Sequence, residues 1–209
     1  MAITYNPDTA RFQVALDPIR DTQATFRVIL DALAWPGSVH QLPVEAMGAP
    51  VNPWAAAVLI TMLDHETSLA WDGAAELEAL AYFVQQRTAV APASAATTDF
   101  ILTDAAHLDP TLPERIRVGT LEYPDESATV VVLVESLEST NRVIGLALSG
   151  PGVPEGKYIR VGASITAFLM ARNAVVAGYP QGFDLLLIDA EGRLMGLPRT
   201  TAITMREEA

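Results

Sequence analysis

The chain has 209 residues, 50% of them hydrophobic, which is enough to bury a single core without disulfides or metal ions. It contains no cysteine, which excludes disulfides, thiolate metal sites, cysteine-ligated iron-sulfur clusters and a cysteine nucleophile. The net charge of -12, with arginines dispersed along the sequence, argues against binding to duplex nucleic acid or to a membrane surface.

The N-terminal stretch MAITYNPDTARF has neither the basic segment nor the apolar core of a secretory signal. Apolar runs elsewhere are interrupted by charges, Gly or Pro before they reach a membrane-spanning length. We therefore expect a soluble, unexported protein located in the cytoplasm.

Three amphipathic helices are predicted in the first half of the chain. Asp17-Pro18 and then Asp21-Thr22 offer starts for the first helix, which ends at Trp-Pro-Gly, and Asn52-Pro53 caps the second. The third has apolar residues on one side and a polar face for solvent. The predicted spans are Asp17 or Asp21 to Trp35, Asn52 to His65 and Ala74 to Arg87, followed by an Ala-rich connector from Ala89 to Thr98.

Strands and one further helix are predicted in the second half. The segment from Ala128 to Leu137 is a nearly unbroken β-branched run, typical of a strand buried on both faces, and we place it at the sheet centre. Because helices and strands alternate, an α/β fold with layers around a mixed sheet is favoured. The other predicted strands are Phe100–Leu102, Val143–Leu148, Phe183–Ile188 and Leu194–Leu197, with a helix over Ala163–Ala177.

The last two strands are predicted to form a hairpin that places Arg199 at the rim of an apolar face. Gly192 occupies the third loop position, where a three-residue hairpin needs a left-handed residue. The expected facing pairs are Leu187 with Met195, Leu185 with Leu197, and Phe183 with Arg199.

Two interpretations of Arg199 remain open, because a cation at that depth requires a partner. In the first, Arg199 stacks on Phe183 and pairs with a carboxylate such as Asp184, Asp189 or Asp64. In the second, Arg199 captures an external phosphate or phosphonate, with Thr200 and Thr201 adding hydroxyl donors.

No other motif predicts catalysis. The three histidines lack metal-ligand spacing, and no GxSxG nucleophile elbow is present. Ser149 to Gly152 follows a strand as a turn, and Lys157 is the only lysine, in an exposed context that disfavours a Schiff base. Asp64, His65 and Glu66 are interpreted as a solvated charge cluster at a helix end rather than as an acid-base group. We therefore predict no metal and assign no catalytic residue.

Five phrases in fixed order resemble the PhnH family, the H subunits of the bacterial carbon-phosphorus lyase core complex. The resemblance covers nearly the whole chain, leaving out about the first fifteen residues, and implies an N-terminal extension (1–15) and a single α/β domain (16–205). The phrases are DPIRDTQATFRVILDALAWPG, AAAVLITMLDHETSLAW, GTLEYPDESATVVVLVESL, LALSGPGV and YPQGFDLLLIDAEGRLMGLPRTTAI.

The resemblance implies a three-layer mixed sheet flanked by helices, similar to the large domain of pyridoxal-phosphate-dependent transferases but without their cofactor. It also implies a homodimer that acts with the G, I and J subunits. Their complex transfers an alkylphosphonate to the ribose of a nucleoside triphosphate and displaces the base, which gives ribose 1-methylphosphonate 5-triphosphate when the substrate is methylphosphonate. No chemistry is firmly assigned to the H subunit.

Positions that match the family motifs are candidates for a shared pocket or a subunit contact. They are Arg27, Trp35, Pro36, Gly37, Thr61, Asp64, Pro198, Arg199, Thr200 and Thr201. The leading hypothesis is a subunit that is not catalytic alone. Its rivals are a phosphonate- or nucleotide-binding enzyme with a pocket around Arg199, and an active pyridoxal enzyme, which would absorb in the visible or near ultraviolet.

Overall fold

The computed structural model describes residues 19–44, 52–138 and 143–205. Helices and strands alternate through these residues, as predicted. The helices are α1 (Arg20–Ala34), α2 (Pro53–Met62), α3 (Ala75–Thr88) and α4 (Ala163–Val176). The strands are β1 (Val39–Gln41), β2 (Ser68–Asp72), β3 (Ala91–Pro92), β4 (Phe100–Asp104), β5 (Thr129–Leu133), β6 (Val143–Ser149), β7 (Tyr158–Gly162), β8 (Asp184–Ile188), β9 (Arg193–Leu197) and β10 (Ala202–Met205).

A seven-stranded mixed sheet forms the middle layer, in the order β1-β9-β8-β5-β4-β2-β3. Strands β8, β5, β4, β2 and β3 run parallel, whereas β9 and β1 are antiparallel to their neighbours. The predicted central strand, β5, has three strands on each side, and the β8–β9 hairpin lies directly beside it. Both predictions are confirmed.

Burial on both faces of β5 explains its apolar sequence. Val130 and Val132 belong to the core under α4 and the smaller sheet, whereas Val131 belongs to the core under α1, α2 and α3. All three valines are fully buried. A strand covered on both sides does not alternate polar and apolar residues. The large sheet is therefore the middle one of three layers.

Helix boundaries agree closely with the prediction, except that α2 ends at Met62 instead of His65. At the start of α2, local capping chemistry explains the boundary. The Asn52 side chain accepts a hydrogen bond of 2.9 Å from the Ala55 N–H at the start of α2, and Pro53 occupies the first helical position. The predicted central strand is shorter than expected: β5 ends at Leu133 instead of Leu137. The Ala-rich connector contains the two-residue strand β3.

A second, three-stranded antiparallel sheet differs from the prediction. The expected strand Val143–Leu148 forms β6, but it pairs with β7 and β10 in the order β10-β6-β7 and not with the large sheet. In β7, Ile159 and Val161 are buried and Tyr158 and Arg160 are exposed, an alternation typical of a sheet with one face in solvent.

The described residues contain no helix that is both long and apolar enough to cross a membrane. The N-terminal extension expected at 1–15 lies outside the described residues. Assignment of 16–205 to a single domain stays a prediction.

Candidate functional site

Arg199 follows β9 and is held by groups of the same chain. Its backbone N–H donates to Asp184 Oδ1 (2.8 Å), and one guanidinium nitrogen donates to Asp184 Oδ2 (3.0 Å). The other terminal nitrogen donates to the Pro124 carbonyl. The side chain is 18% exposed, so this ion pair is only partly shielded from water. In the described structure the carboxylate partner of Arg199 is therefore internal.

The hairpin register agrees with the prediction as far as the ladder extends. Leu187 pairs with Met195 and Leu185 with Leu197, and Gly192 has the left-handed φ of +79° that the turn requires. The ladder ends there, because the chain turns at Pro198, so the expected pairing of Phe183 with Arg199 does not form. The cation over the Phe183 ring belongs to a different residue.

That residue is Arg172, on the inner side of α4, where it is 0% exposed. Its guanidinium carbon lies 5.7 Å from the centroid of the Phe183 ring. Its nitrogens donate to three carbonyls, of Thr201 (2.9 Å), Leu197 (3.1 Å) and Pro198 (2.7 Å). Burial lowers the pKa of Arg172 to about 10, although the charge of Asp184 opposes the shift.

Arg172 was not among the predicted site residues, although its position within an apolar stripe of the predicted helix indicates burial. The buried residues Ile165, Phe168, Leu169 and Val176 recur at helical spacing along α4, and Arg172 occupies the same stripe. A single arginine inside such a stripe requires partners within the core. Its partners are the carbonyls of the turn that presents Arg199.

The turn from Pro198 to Thr201 is built against a second turn. The Thr201 N–H donates to the Pro198 carbonyl (2.8 Å), which closes the turn. Gly150 lies beneath it with φ +135°, and a Cβ there would approach the Thr200 carbonyl oxygen to 2.4 Å. The LSGPG and LPRTT segments are therefore neighbours in space, and glycine at 150 permits their close approach.

Asn173, the residue after Arg172, binds the outer edge of β10. Its side-chain oxygen accepts from the Ile203 N–H (3.1 Å), and its side-chain nitrogen donates to the Ile203 carbonyl. Both backbone groups of Ile203 that point away from β6 are therefore satisfied by one amide. Together, Arg172 and Asn173 attach α4 to the turn and to the strand that follows it.

Two depressions lie beside this turn. The larger has a volume of about 520 Å³, and its wall is mostly apolar: Pro151, Asn173, Val176, Ala177, Tyr179, Arg199, Thr200, Ala202, Ile203 and Thr204. The smaller, of about 320 Å³, lies on the other side of Arg199, where it also contacts Pro124, Asp125 and Asp184. Tyr179, Arg199 and Thr200 line both depressions.

The structure brings only part of the motif-matched residues to this place. Arg199 and Thr200 line the depressions, whereas Thr201 is fully buried behind them. Pro198 lines the smaller one. The linings of these two depressions do not include the remaining candidates: Arg27, Trp35, Pro36, Gly37, Thr61 and Asp64.

Those remaining candidates have other surroundings. Arg27 is exposed on α1, and Trp35, at the end of that helix, is 56% exposed. Gly37 is buried with φ +76°, and a Cβ there would meet Leu148 at 2.4 Å. The Thr61 hydroxyl donates to the Ala57 carbonyl within α2 (2.7 Å), and exposed Asp64 accepts from the Glu66 N–H (2.9 Å).

Titratable groups elsewhere form local structural contacts. His107 Nδ1 lies 2.8 Å from Asp104 Oδ1 at the end of β4. Burial alone would raise the pKa of Asp104, but hydrogen bonds from the His107 side chain and from the backbone N–H groups of His107, Ala106 and Ala74 lower it overall. His65 is exposed beside Asp64 and Glu66, in keeping with a solvated cluster. Among the described residues, no group of three or more His, Asp or Glu could hold a metal ion.

The fold and the site define a class of protein: a layered α/β protein in which a turn held by two arginines borders an apolar depression. The chain belongs to the PhnH family, whose model, described as bacterial phosphonate metabolism protein, matches residues 14–204. Two similar proteins are named as subunits, one of a ribose 1-methylphosphonate 5-triphosphate synthase and one of a C-P lyase.

The first, from Rhizobium meliloti (strain 1021), is named alpha-D-ribose 1-methylphosphonate 5-triphosphate synthase subunit PhnH. It is 32% identical over 194 residues, which cover 90% of this chain and 92% of the relative. The second, HtxG of Stutzerimonas stutzeri, carries the name of a C-P lyase subunit protein. It is 31% identical over 184 residues, covering 88% of this chain and 86% of the relative.

Proposed function

We propose that the chain is a subunit of a carbon-phosphorus lyase system in phosphonate catabolism. In this role it supports transfer of an alkylphosphonate to the ribose of a nucleoside triphosphate, and it is not catalytic alone. The observation that carries the proposal is the match of 90% of the chain to a relative named as a subunit of the ribose 1-methylphosphonate 5-triphosphate synthase.

The contacts of Arg199 support a structural role for this residue, in keeping with a subunit that is not catalytic alone. Asp184 and the Pro124 carbonyl already occupy its guanidinium, and the charge that would attract a phosphonate is largely neutralised. Arg172 is likewise committed to backbone carbonyls. Neither arginine is presented as a free anion ligand.

We expect a cytoplasmic homodimer that joins the G, I and J subunits. One face of α1, with Ile19 directly before the helix, supports an interface, because Ile19, Phe26 and Leu30 fall in one stripe at helical spacing and are 81%, 43% and 49% exposed. Trp35 follows at the end of the helix. We also propose that the fold is similar to the large domain of pyridoxal-phosphate-dependent transferases, without their cofactor.

Co-purification tests the subunit role. The tagged chain, expressed in cells that lack their own copy, should restore growth on methylphosphonate as sole phosphorus source and retain the G, I and J subunits. The purified chain alone should release no base from ATP in the presence of methylphosphonate. Release of the base by the isolated chain, or failure to retain any of the three subunits, would refute the proposal.

A second candidate function is a phosphonate- or nucleotide-binding enzyme with its pocket around Arg199. The depression of about 520 Å³ beside Arg199 and Thr200 favours it. Titration calorimetry of the isolated chain with methylphosphonate and with ATP separates the two, since only the second candidate predicts saturable heat that Arg199→Ala removes. A visible absorbance band that stays with the chain after unbound pyridoxal phosphate has been removed would instead indicate a pyridoxal enzyme.

A further inference from the structure

Three large apolar side chains are exposed on two chain segments next to Arg199: the segment that leads to Pro124, whose carbonyl binds Arg199, and the segment of Tyr179, which lines both depressions with Arg199. Leu121 is 71% exposed, Tyr123 57% and Tyr179 66%, and we call these three residues the tyrosine patch. Scattered exposed apolar residues are ordinary on a protein surface, whereas a group beside an apolar depression indicates a contact surface.

Hydrogen bonds fix the two segments that carry the tyrosine patch. The Gly182 N–H donates to the Val118 carbonyl (3.0 Å), and Gln181 Nε2 donates to the Gly119 carbonyl (3.1 Å). Within the first segment, the Tyr123 N–H donates to Thr120 Oγ1 (2.9 Å). A surface presented in this way loses little conformational entropy when a partner binds.

The tyrosine patch and the larger depression share one residue, Tyr179. Tyr179 forms the rim of the depression, and Val176, Ala177 and Ile203 form its apolar wall. A volume of about 520 Å³ accommodates a large aliphatic or aromatic side chain, the kind of anchor that contributes most to protein interfaces. Tyrosine and arginine, both present here, are enriched at such interfaces.

Charge around the tyrosine patch is negative. Glu122 and Asp125 are exposed, and neither forms an ion pair with another described residue. The two nearby cations are already paired: Arg199 with Asp184 (3.0 Å), and Arg117 with Asp99 (2.8 Å). The surface therefore complements a basic partner and repels an acidic one.

We propose that the tyrosine patch and the larger depression form the docking surface for another subunit of the complex. The docking segment inserts one large apolar side chain between Tyr179 and α4, and its flanking Lys or Arg residues face Glu122 and Asp125. A second copy of this acidic chain fits the site less well, since its net charge is also -12. This inference rests on the subunit role proposed above.

The test measures binding of the purified chain to the purified complex of the remaining subunits by biolayer interferometry. Glu122→Lys/Asp125→Lys should weaken binding about tenfold or more and remove most of its dependence on salt between about 0.05 and 0.5 M. Ala177→Trp, which fills the depression, should weaken binding at every salt concentration. Matched controls are Glu66→Lys/Glu78→Lys and Ala167→Trp, whose sites are exposed and lie outside the lining of the depression.

The outcomes separate this inference from the subunit role. Wild-type binding that both variants leave unchanged would overturn the docking surface while the subunit role stands. No wild-type binding would overturn the subunit role and the inference with it. Variants that dissociate a homodimer but bind the other subunits normally would assign the surface to a second copy and overturn the inference. Circular dichroism and thermal unfolding confirm that each variant is folded.

Discussion

The two layers that cover the large sheet are held by different kinds of contact. On one face, α1, α2 and α3 pack through aliphatic side chains such as Ile29, Leu59 and Leu80. On the other face, α4 adds Arg172 and Asn173, which bind the backbone of the Pro198–Thr201 turn and of β10. Aliphatic packing tolerates small shifts, whereas these hydrogen bonds fix the position of the turn. The candidate site therefore lies on the face where hydrogen bonds from α4 hold the backbone.

The largest effect should come from Arg172→Ala, which removes the polar anchor. The turn would lose three hydrogen bonds and α4 would gain a cavity, so we expect the free energy of unfolding in urea to fall by about 4 kcal/mol. Arg160→Ala, at an exposed position of β7, is the control and should change stability by less than about 0.5 kcal/mol. A loss below about 1 kcal/mol for Arg172→Ala would contradict the anchoring role.

Leu59→Ala tests the aliphatic layer. Leu59 is 0% exposed in the middle of this layer, and we expect a loss of about 3 kcal/mol in the same urea assay. Because Leu59 and Arg172 lie on opposite faces of the sheet, the double substitution should be additive to within about 0.5 kcal/mol. Coupling above about 1 kcal/mol would show that the two layers are not independent.

Arg199→Ala should have a smaller effect, a loss of about 2 kcal/mol. A fully buried pair would cost about 3 to 5 kcal/mol, but Arg199 and Asp184 are 18% and 22% exposed, and water partly screens their charges. A double-mutant cycle with Asp184→Ala measures the pair directly. If Arg199→Ala folds with wild-type stability yet fails to restore growth on phosphonate, an external anion is the relevant partner instead.

The smallest expected effect is the pH dependence contributed by Asp104. Its pKa in the folded chain lies below the ordinary 3.8, so the carboxylate contributes stability above pH 3.8 that is lost as pH falls through the folded pKa. Asp104→Asn should therefore destabilise at pH 7 by less than about 1 kcal/mol, because His107 is half exposed. The difference in stability between wild type and variant should shrink as the pH falls from 7 to 3, and a constant difference would refute this account.

Local patterns in the sequence predicted the four helices and five of the ten described strands, whereas β1, β2, β3, β7 and β10 were not predicted. The β-branched run around Val131 identified the sheet centre, and the Gly192 turn identified the hairpin register, because burial and turn geometry act over a few residues. The separate sheet of β6, β7 and β10 was missed. Its pairing of Ile203 with Leu148 joins residues far apart in the chain, and no local pattern specifies that pairing.

The candidate site was predicted only in part. Arg199 was identified correctly as a cation at an apolar rim that needs a partner, and Asp184 was among the carboxylates considered. Arg172 was missed because its partners are carbonyls of Leu197, Pro198 and Thr201, and a backbone acceptor leaves no mark on residue type. Motif matching grouped Arg27, Trp35 and Asp64 with Arg199, although these lie outside the linings of both depressions.

The side chain of Asn173 covers part of the outer edge of β10, where another strand could otherwise pair. By occupying the N–H and C=O of Ile203, it stands where the backbone of an incoming strand would bind. Strand addition at this point of β10 is therefore blocked, which disfavours edge-to-edge pairing along this edge of the small sheet. A protein that binds at this point must recognise side chains. Its binding then depends on its own sequence, whereas backbone pairing between two strands depends on sequence much less.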